Sequence, residues 1–183
     1  MVYVKKDIVC IGGGIMSITL AKLLQEIDPS RNITLYEKLA SCAQESTQSI
    51  NNAGTGHAGY CELNYTPLNS HQNVSIDRAL KINREFEVSL QFWSFLAKKY
   101  QNFKSKAFIT QVPHISLVRG EKNISFLKKR YEALSKSILF QGLQFSCDKE
   151  TIKKWAPLID VASKDEPQPG NHGSNIGFLI KHR

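Results

Sequence analysis

The amino-terminal residues combine short apolar runs with a helical pattern, in an order typical of one α/β unit. The apolar run over 7–11 predicts a strand, and apolar positions recur at helical spacing over 15–27. A second apolar run covers 32–36, and the Asp-Pro-Ser triplet at 28–30 predicts the turn before it. The pattern therefore predicts strand, helix and strand, with the two strands parallel.

A long polar stretch follows, and then helical and strand-like segments. Residues 39–67 are poor in aliphatic side chains and rich in Asn, Gly, Ser and Thr, which predicts a long loop of the kind that usually carries function. Ser75 is predicted to cap a long helix that starts at Ile76 and turns an apolar stripe toward a core. The remaining predicted elements are strands over 108–112 and 115–118, a helix over 123–136, a short helix from 148 to about 155, a loop over 163–175 and a strand over 176–180.

The turn between the first strand and the helix carries the clearest chemical signal. It reads Gly12-Gly13-Gly14, with Ser17 at the position where a third glycine is usual. Gly12 permits a sharp turn, Gly14 leaves room for a phosphate near the backbone, and the helix amino end offers N–H groups to it. Glu37 closes the second strand, where a carboxylate accepts ribose hydroxyls and repels a 2′-phosphate, which disfavours NADP. These features predict a dinucleotide site, whereas a turn without a ligand leaves Glu37 unexplained.

Charge adds two open interpretations. The 183 residues carry a formal net charge of +8, with basic clusters at 98–99, 128–130 and 153–154 in predicted helices. The favoured interpretation is solvated helix faces, and the alternative is attraction to anionic lipid headgroups. No nucleic-acid-binding motif is present, so a nucleic-acid partner is not expected.

Composition narrows the class of protein further. No apolar run approaches the length of a membrane span, and the amino terminus lacks the apolar segment of a secretory signal, so we expect the protein inside the cell. The four cysteines are widely spaced and none forms a C-x-x-C pair, so no metal site is expected. Cys10, in the first predicted strand, is expected to be a core residue.

Several blocks together point to a family. They are residues 11–17, 43–46, 51–57, 61–67, 91–93, 112–116, 130–134 and 155–158 and, weakly, 175–179. Their sequences resemble those of the FAD-dependent malate:quinone oxidoreductases. The most specific block is Asn-Asn-Ala-Gly-Thr-Gly-His at 51–57, because the glycine turn is shared with many flavoproteins.

The resemblance implies a fold and an activity. The fold is α/β: a Rossmann-type FAD-binding domain over 1–105, then the start of a mixed-sheet substrate-binding domain over 106–183, as in amino-acid oxidases. The implied activity is the oxidation of (S)-malate to oxaloacetate in the tricarboxylic acid cycle. FAD would take the hydride and pass electrons to a membrane quinone. Family members are much longer, so we expect a truncated chain with weak or absent flavin retention and no turnover by itself.

The implied partners are malate, a membrane quinone and an anionic membrane surface. The implied location is cytoplasmic, peripheral on the inner face of the cell membrane. The resemblance also implies that the long polar loop lies along the flavin. The cofactor contacts it implies there are Glu45, Ser46, Asn52, Gly54, Thr55 and His57.

Alternatives remain open for the loop, for the histidines and for the activity. Asx turns can hold such a loop by themselves. His57 and His114 are the catalytic candidates, His57 as a donor to flavin or substrate and His114 facing a substrate pocket, and each also fits a structural histidine. Another FAD-dependent 2-hydroxy-acid or amino-acid oxidoreductase fits the glycine turn equally well. A non-catalytic nucleotide-binding remnant is the third possibility.

Overall fold

A computed structural model describes residues 7–60, 62–104, 108–159 and 176–181 of the chain. The chain divides into two compact units, unit 1 up to Thr55 and unit 2 from Gly56. Unit 1 has a parallel pair of strands and unit 2 an antiparallel sheet, which confirms the mixed α/β class. The loop predicted over 163–175 lies outside the described residues.

Unit 1 is built on the predicted strand, helix and strand. β1 (Ile8–Ile11), α1 (Ile15–Ile27) and β2 (Ile33–Tyr36) follow in that order. The two strands pair in parallel, from Ile8 opposite Ile33 to Ile11 opposite Tyr36. Because parallel strands require a crossover, α1 carries the chain back to the start of β2. Both strands therefore end at the same edge of the sheet.

The apolar side chains of unit 1 are mostly exposed. Among its described residues Cys10 is the one buried apolar side chain, as the sequence predicted. α1 has no buried residue, and Met16 is 82% exposed. The unit therefore owes little of its stability to a core of its own.

Unit 2 contains the remaining helices and strands. They are α2 (Asp77–Lys99), β3 (His114–Arg119), α3 (Glu121–Leu134), β4 (Leu143–Ser146), α4 (Lys149–Trp155) and β5 (Ile176–Lys181), with 3₁₀ turns at Leu63–Tyr65 and Ile138–Phe140. β5 lies between β3 and β4 and is antiparallel to both. Its central position explains why Phe178, Leu179 and Ile180 are all buried, whichever face of the sheet they point to.

The core of unit 2 joins the sheet to α3. Leu127, Leu134 and Phe140 are completely buried and belong to one cluster with Leu179. Apolar residues at i and i+7 of α3 share a face, which is why the helix buries this stripe. A second cluster forms around Ile152 of α4, the short helix predicted from 148 to about 155. Its cap Asp148 accepts a hydrogen bond from the Thr151 amide at 2.8 Å.

Three local predictions are wrong, and each has a physical reason. α2 begins at Asp77 without a side-chain cap, because the Ser75 hydroxyl donates to the Asp77 carboxylate instead. The described residues 108–112 form no strand. The Phe108 ring packs on Trp93, and Pro113 has no N–H for a strand ladder. Arg130, placed in an exposed basic cluster, is fully buried.

The sequence prediction places a domain border between 105 and 106, whereas the two compact units meet between 55 and 56. Compactness alone does not say which residues hold a cofactor, so the domain assignment stays a prediction. Across the described ranges, every helix is either too short or too polar to cross a bilayer.

Candidate functional site

The glycine turn lies where β1 and β2 end side by side. Gly12 has a φ of 89°, a conformation that residues with a Cβ rarely adopt. Its amide donates to the Tyr36 carbonyl at 2.8 Å, which extends the parallel pairing by one residue. The turn then leads directly into α1, so the helix amino end faces the carboxyl edge of the sheet.

Gly13 is the tightest position of the turn. A Cβ built on it would lie 2.6 Å from Cys42 Sγ and 2.8 Å from the Glu37 carboxylate. Among the described residues, a Cβ on Gly14 would meet Thr47 Oγ1 alone, at 3.4 Å. The glycine requirement at Gly13 therefore comes from neighbouring side chains. At Gly12 it comes from the backbone conformation.

Glu37 lies against the glycine turn. One carboxylate oxygen accepts a hydrogen bond from the Gly13 amide at 2.5 Å, and the other accepts one from the Leu39 amide at 2.8 Å. These backbone donors, Leu39 first and Gly13 second, lower the pKa of Glu37. A carboxylate held in this way stays ionised at neutral pH and keeps lone pairs for further donors.

The segment after β2 folds back onto the turn. The Ala43 amide donates to the Gly13 carbonyl at 3.0 Å, and Ala43 itself has a φ of 63°. Thr47 Oγ1 accepts from the Ile15 amide at 3.0 Å and so supplies the helix with a cap from a distant part of the chain. The N–H groups of Met16 and Ser17, next in α1, have no acceptor within the helix itself.

These elements enclose a cavity of about 500 Å³. Six of the predicted cofactor residues line it: Gly12, Gly13, Gly14, Glu37, Glu45 and Ser46. The other lining residues are Ile11, Tyr36, Lys38, Leu39, Ala43, Gln44 and Thr47. Sequence reasoning missed Lys38 and Thr47. Lys38 adjoins the predicted Glu37, and Thr47 follows the predicted Ser46, so adjacency was the available signal.

Four predicted cofactor residues of unit 1 do not line this cavity: Ser17, Asn52, Gly54 and Thr55. The Asn52 side-chain amide donates to the carbonyls of Ser46 and Gln48, both at 2.9 Å. Its oxygen accepts from the Gly54 amide at 2.7 Å. Asn52 therefore holds the loop together, as in the Asx-turn alternative, and its contact with a cofactor stays a prediction.

The two predicted catalytic histidines both belong to unit 2. The His57 ring stacks on Tyr65 at 5.9 Å between ring centres. Its Nδ1 is buried and has no hydrogen-bond partner within the described part of the chain. His114 begins β3, with its ring 5.8 Å from that of Tyr60 and its Nε2 3.4 Å from Ser116 Oγ.

Burial lowers the pKa of His114, and the positive charges of Arg130 and His57 lower it further. A hydrogen bond with the Tyr60 backbone acts in the opposite direction. Imidazole with a lowered pKa is neutral at pH 7 and able to accept a proton. Burial also raises the pKa of the Tyr60 phenol to about 12, so that it stays protonated.

Buried polar side chains hold the backbone beside His57. Arg130 Nη2 donates to the Tyr60 carbonyl at 2.9 Å, and Asn83 donates to the Ala58 carbonyl, also at 2.9 Å. Gly59 has a φ of 79°, and a Cβ there would lie 2.5 Å from the Ala79 carbonyl oxygen. Reasoning from the sequence did not identify Arg130 and Asn83 as residues of this region. For Arg130 the signal was its place in α3 between the buried Leu127 and Leu134.

Comparison with known proteins identifies the family. A family model described as malate:quinone oxidoreductase matches residues 4–172. Proteins named probable malate:quinone oxidoreductase from Bacillus cereus strain AH187 and Bacillus thuringiensis strain Al Hakam are 48% identical over 178 residues. Each match covers 95% of this chain and 36% of the relative, so the chain spans about a third of the length of these relatives. The chain belongs to the malate:quinone oxidoreductase family.

Proposed function

We propose that unit 1 holds the adenosine diphosphate half of FAD, in a protein that oxidises (S)-malate to oxaloacetate with a membrane quinone as electron acceptor. One observation carries the proposal. The glycine turn, which includes Gly14 at the N-cap of α1, and Glu37 line a single cavity at the carboxyl edge of β1 and β2. Crevices at this edge of parallel sheets are where nucleotides bind in such folds.

The residues present fit this half of the cofactor. Backbone N–H groups at the start of α1 and the helix dipole favour phosphate, and the glycine turn leaves room for its approach. The two amide donors stabilise the ionised form of Glu37, and the carboxylate retains acceptor sites for ribose hydroxyls. By this proposal the cavity forms part of a Rossmann-type FAD-binding domain.

The proposed chemistry divides between cofactor and protein. Bound FAD supplies the acceptor for the hydride from malate and passes electrons onward. The neutral imidazole of His114 is our proposed acceptor for the hydroxyl proton, and His57, with its buried unbonded Nδ1, is our proposed donor to flavin or substrate. We further propose that the residues beyond 105 belong to the substrate-binding domain, and that the protein is peripheral to the inner face of the membrane where the quinone lies.

Binding of the nucleotide without turnover is a second candidate function. The observation in its favour is that Asn52, Gly54 and Thr55 stand outside the cavity, with Asn52 and Gly54 hydrogen-bonded within their own loop. The described cavity then serves the adenosine diphosphate half alone. A chain that binds FAD and ADP equally well, and reduces no acceptor with malate, would support this candidate.

The test of the cofactor is flavin binding by the purified 183-residue chain. FAD is titrated into wild type and Glu37→Gln, and fluorescence quenching gives the dissociation constant. Loss of a hydrogen bond to a charged acceptor costs roughly 1.5–3 kcal/mol, so we expect affinity to fall about 10–150-fold. Glu85→Gln, an exposed carboxylate on α2, is the matched control and should bind as wild type does.

Two results would contradict the proposal. The first is equal affinity in wild type and Glu37→Gln, and the second is preference for a nucleotide that carries a 2′-phosphate.

The substrate is tested separately. Malate and 2-hydroxyglutarate are compared with a dye acceptor, and faster reduction with 2-hydroxyglutarate would favour another 2-hydroxy-acid oxidoreductase.

A further inference from the structure

The carboxyl-terminal half of α2 exposes apolar side chains on one face. Val88 is 64% exposed, Phe95 is 45% exposed and Tyr100, just past the helix end, is 37% exposed. Val88, Phe95 and Lys99 recur at i, i+7 and i+11, which places them on the same side of the helix. We call Val88, Phe95, Lys98, Lys99 and Tyr100 the α2 patch.

Lysines and aromatic rings are in contact within this patch. The Lys99 ammonium lies 5.7 Å from the centre of the Phe95 ring and 5.7 Å from that of Tyr100. Phe95 and Lys98 also line a shallow groove with Leu90, Gln91 and Ser94. The patch therefore combines exposed apolar side chains with ammonium groups directly beside them.

From Val88 to Gly120, the charge along the chain is of one sign. Between Val88 and Gly120 the sequence contains no aspartate or glutamate, but it contains Lys98, Lys99, Lys104, Lys106 and Arg119. Along the sequence, this segment therefore carries positive charge alone. A second copy of the chain would bring a like-charged patch, so the charge disfavours self-association through this surface.

We propose that the α2 patch seats the protein on a bilayer that contains anionic lipids. Phe95, Tyr100 and Val88 enter the headgroup boundary, and Lys98 and Lys99 lie over the lipid phosphates. Exposed aromatic and aliphatic side chains beside basic ones are the combination that holds a helix at this interface, each basic residue contributing about 1 kcal/mol. The proposal rests on the proposed function, since a quinone acceptor is reached at the membrane surface.

Vesicle co-sedimentation tests the patch with the full chain. Vesicles of phosphatidylcholine alone are compared with vesicles that also contain phosphatidylglycerol, at low and physiological salt. We expect binding to the anionic vesicles that weakens with salt. In Lys98→Glu/Lys99→Glu, loss of two contributions of about 1 kcal/mol each corresponds to at least about 30-fold weaker binding. Phe95→Ser, at constant charge, should also weaken binding.

The matched control is Lys153→Glu/Lys154→Glu in the last turn of α4. It changes the net charge by the same amount, but it changes lysines outside the patch. We expect it to lose less than about threefold in vesicle affinity, because charge contributes to membrane binding mainly within a Debye length. Circular dichroism of each variant checks that the fold is retained.

Several outcomes overturn the proposal. Equal losses in the two double variants would mean attraction by net charge without a defined surface. No binding of wild type to anionic vesicles would reject the patch as a membrane contact. Self-association that Phe95→Ser abolishes would assign the patch to a contact between copies of the chain. Flavin titration of the same samples reports on the proposed function separately. A chain that binds flavin but not vesicles rejects the patch alone, and one that binds vesicles but not flavin rejects the cofactor.

Discussion

Unit 1 and unit 2 differ in the interactions that hold their structure together. Unit 1 arranges a glycine turn, a carboxylate and a helix end around a cavity, yet Cys10 is its one buried apolar side chain among the described residues. Unit 2 buries two apolar clusters around β5, and its candidate histidines lie among packed rings. The comparison teaches that unit 1 forms its cavity from backbone turns and hydrogen bonds with little apolar burial, whereas apolar burial is concentrated in unit 2.

The largest effect should come from the core of unit 2. Phe140→Ala removes a completely buried ring and should lower the free energy of unfolding by about 3–5 kcal/mol. Ile138→Ala, two residues away and 78% exposed, should change it by less than about 0.5 kcal/mol. Urea unfolding followed by circular dichroism measures both. Similar losses in the two variants would contradict the assignment of stability to this core.

The glycine turn should show the opposite behaviour, with binding lost and stability of unit 2 retained. In Gly13→Ala the new Cβ meets Cys42 Sγ at 2.6 Å, and displacement of its neighbours costs about 1–3 kcal/mol, or roughly 5–150-fold in FAD affinity. Gly120→Ala carries the same substitution at a positive φ in unit 2, where the Cβ strains the backbone but meets no described atom within 4 Å. It should bind FAD as wild type does. Wild-type affinity in Gly13→Ala would show that the turn is not part of the site.

The cap supplied by Thr47 should give a smaller effect within unit 1. Thr47→Val removes the acceptor of the Ile15 amide, a loss of about 1 kcal/mol for a helix cap. We expect hydrogen exchange of the first α1 amides to become about fivefold faster, with unit 2 unchanged. Thr55→Val is the exposed control in the same unit. Unchanged exchange at Ile15 would contradict a capping role.

The smallest effect should be the change with pH in the free energy of unfolding of unit 2. Because the pKa of His114 is below its ordinary value of 6.5, the unfolded chain binds this proton more readily than the folded one. The free energy of unfolding should therefore fall as the pH drops below about 6.5 and level off once it is below the lowered value. His114→Gln should flatten part of that slope, and His71→Gln, in an exposed turn, controls for the substitution itself. An unchanged slope in His114→Gln would show that another group titrates.

The predicted elements of unit 1 depended on local signals and were correct to within a residue. The apolar runs, the glycine turn and the Asp-Pro-Ser turn lie within a few residues of the strands and helix they define. The same reasoning failed at 108–112, where Phe108 packs on the rings of Trp93 and Phe103 instead of joining a sheet. The same reasoning also missed β4, although Leu143 and Phe145 alternate with polar residues. The reason is that β5, the described strand with which β4 pairs, lies about 30 residues further along the chain.

The candidate site also divides into residues that local signals predict and residues that only distant contacts place. Glycine and acidic positions of the cavity were predictable, because a turn and a strand end place them directly. Thr47 and Arg130 were not, since one caps a helix 32 residues before it and the other reaches a carbonyl 70 residues before it. Arg130 stood in the sequence as one member of a basic cluster, and only its place between Leu127 and Leu134 on the helix face explains its burial.

By itself, the sequence determined the order of strand, turn, helix and strand, the acid at the end of β2 and the family, because each depends on neighbouring residues or on matching blocks. Tertiary structure alone decided that Glu37 bonds to the Gly13 amide, that Asn52 holds its own loop and that Arg130 is buried beside Tyr60. Those contacts join residues far apart in the chain, and their free energy depends on burial and geometry that a linear pattern does not contain.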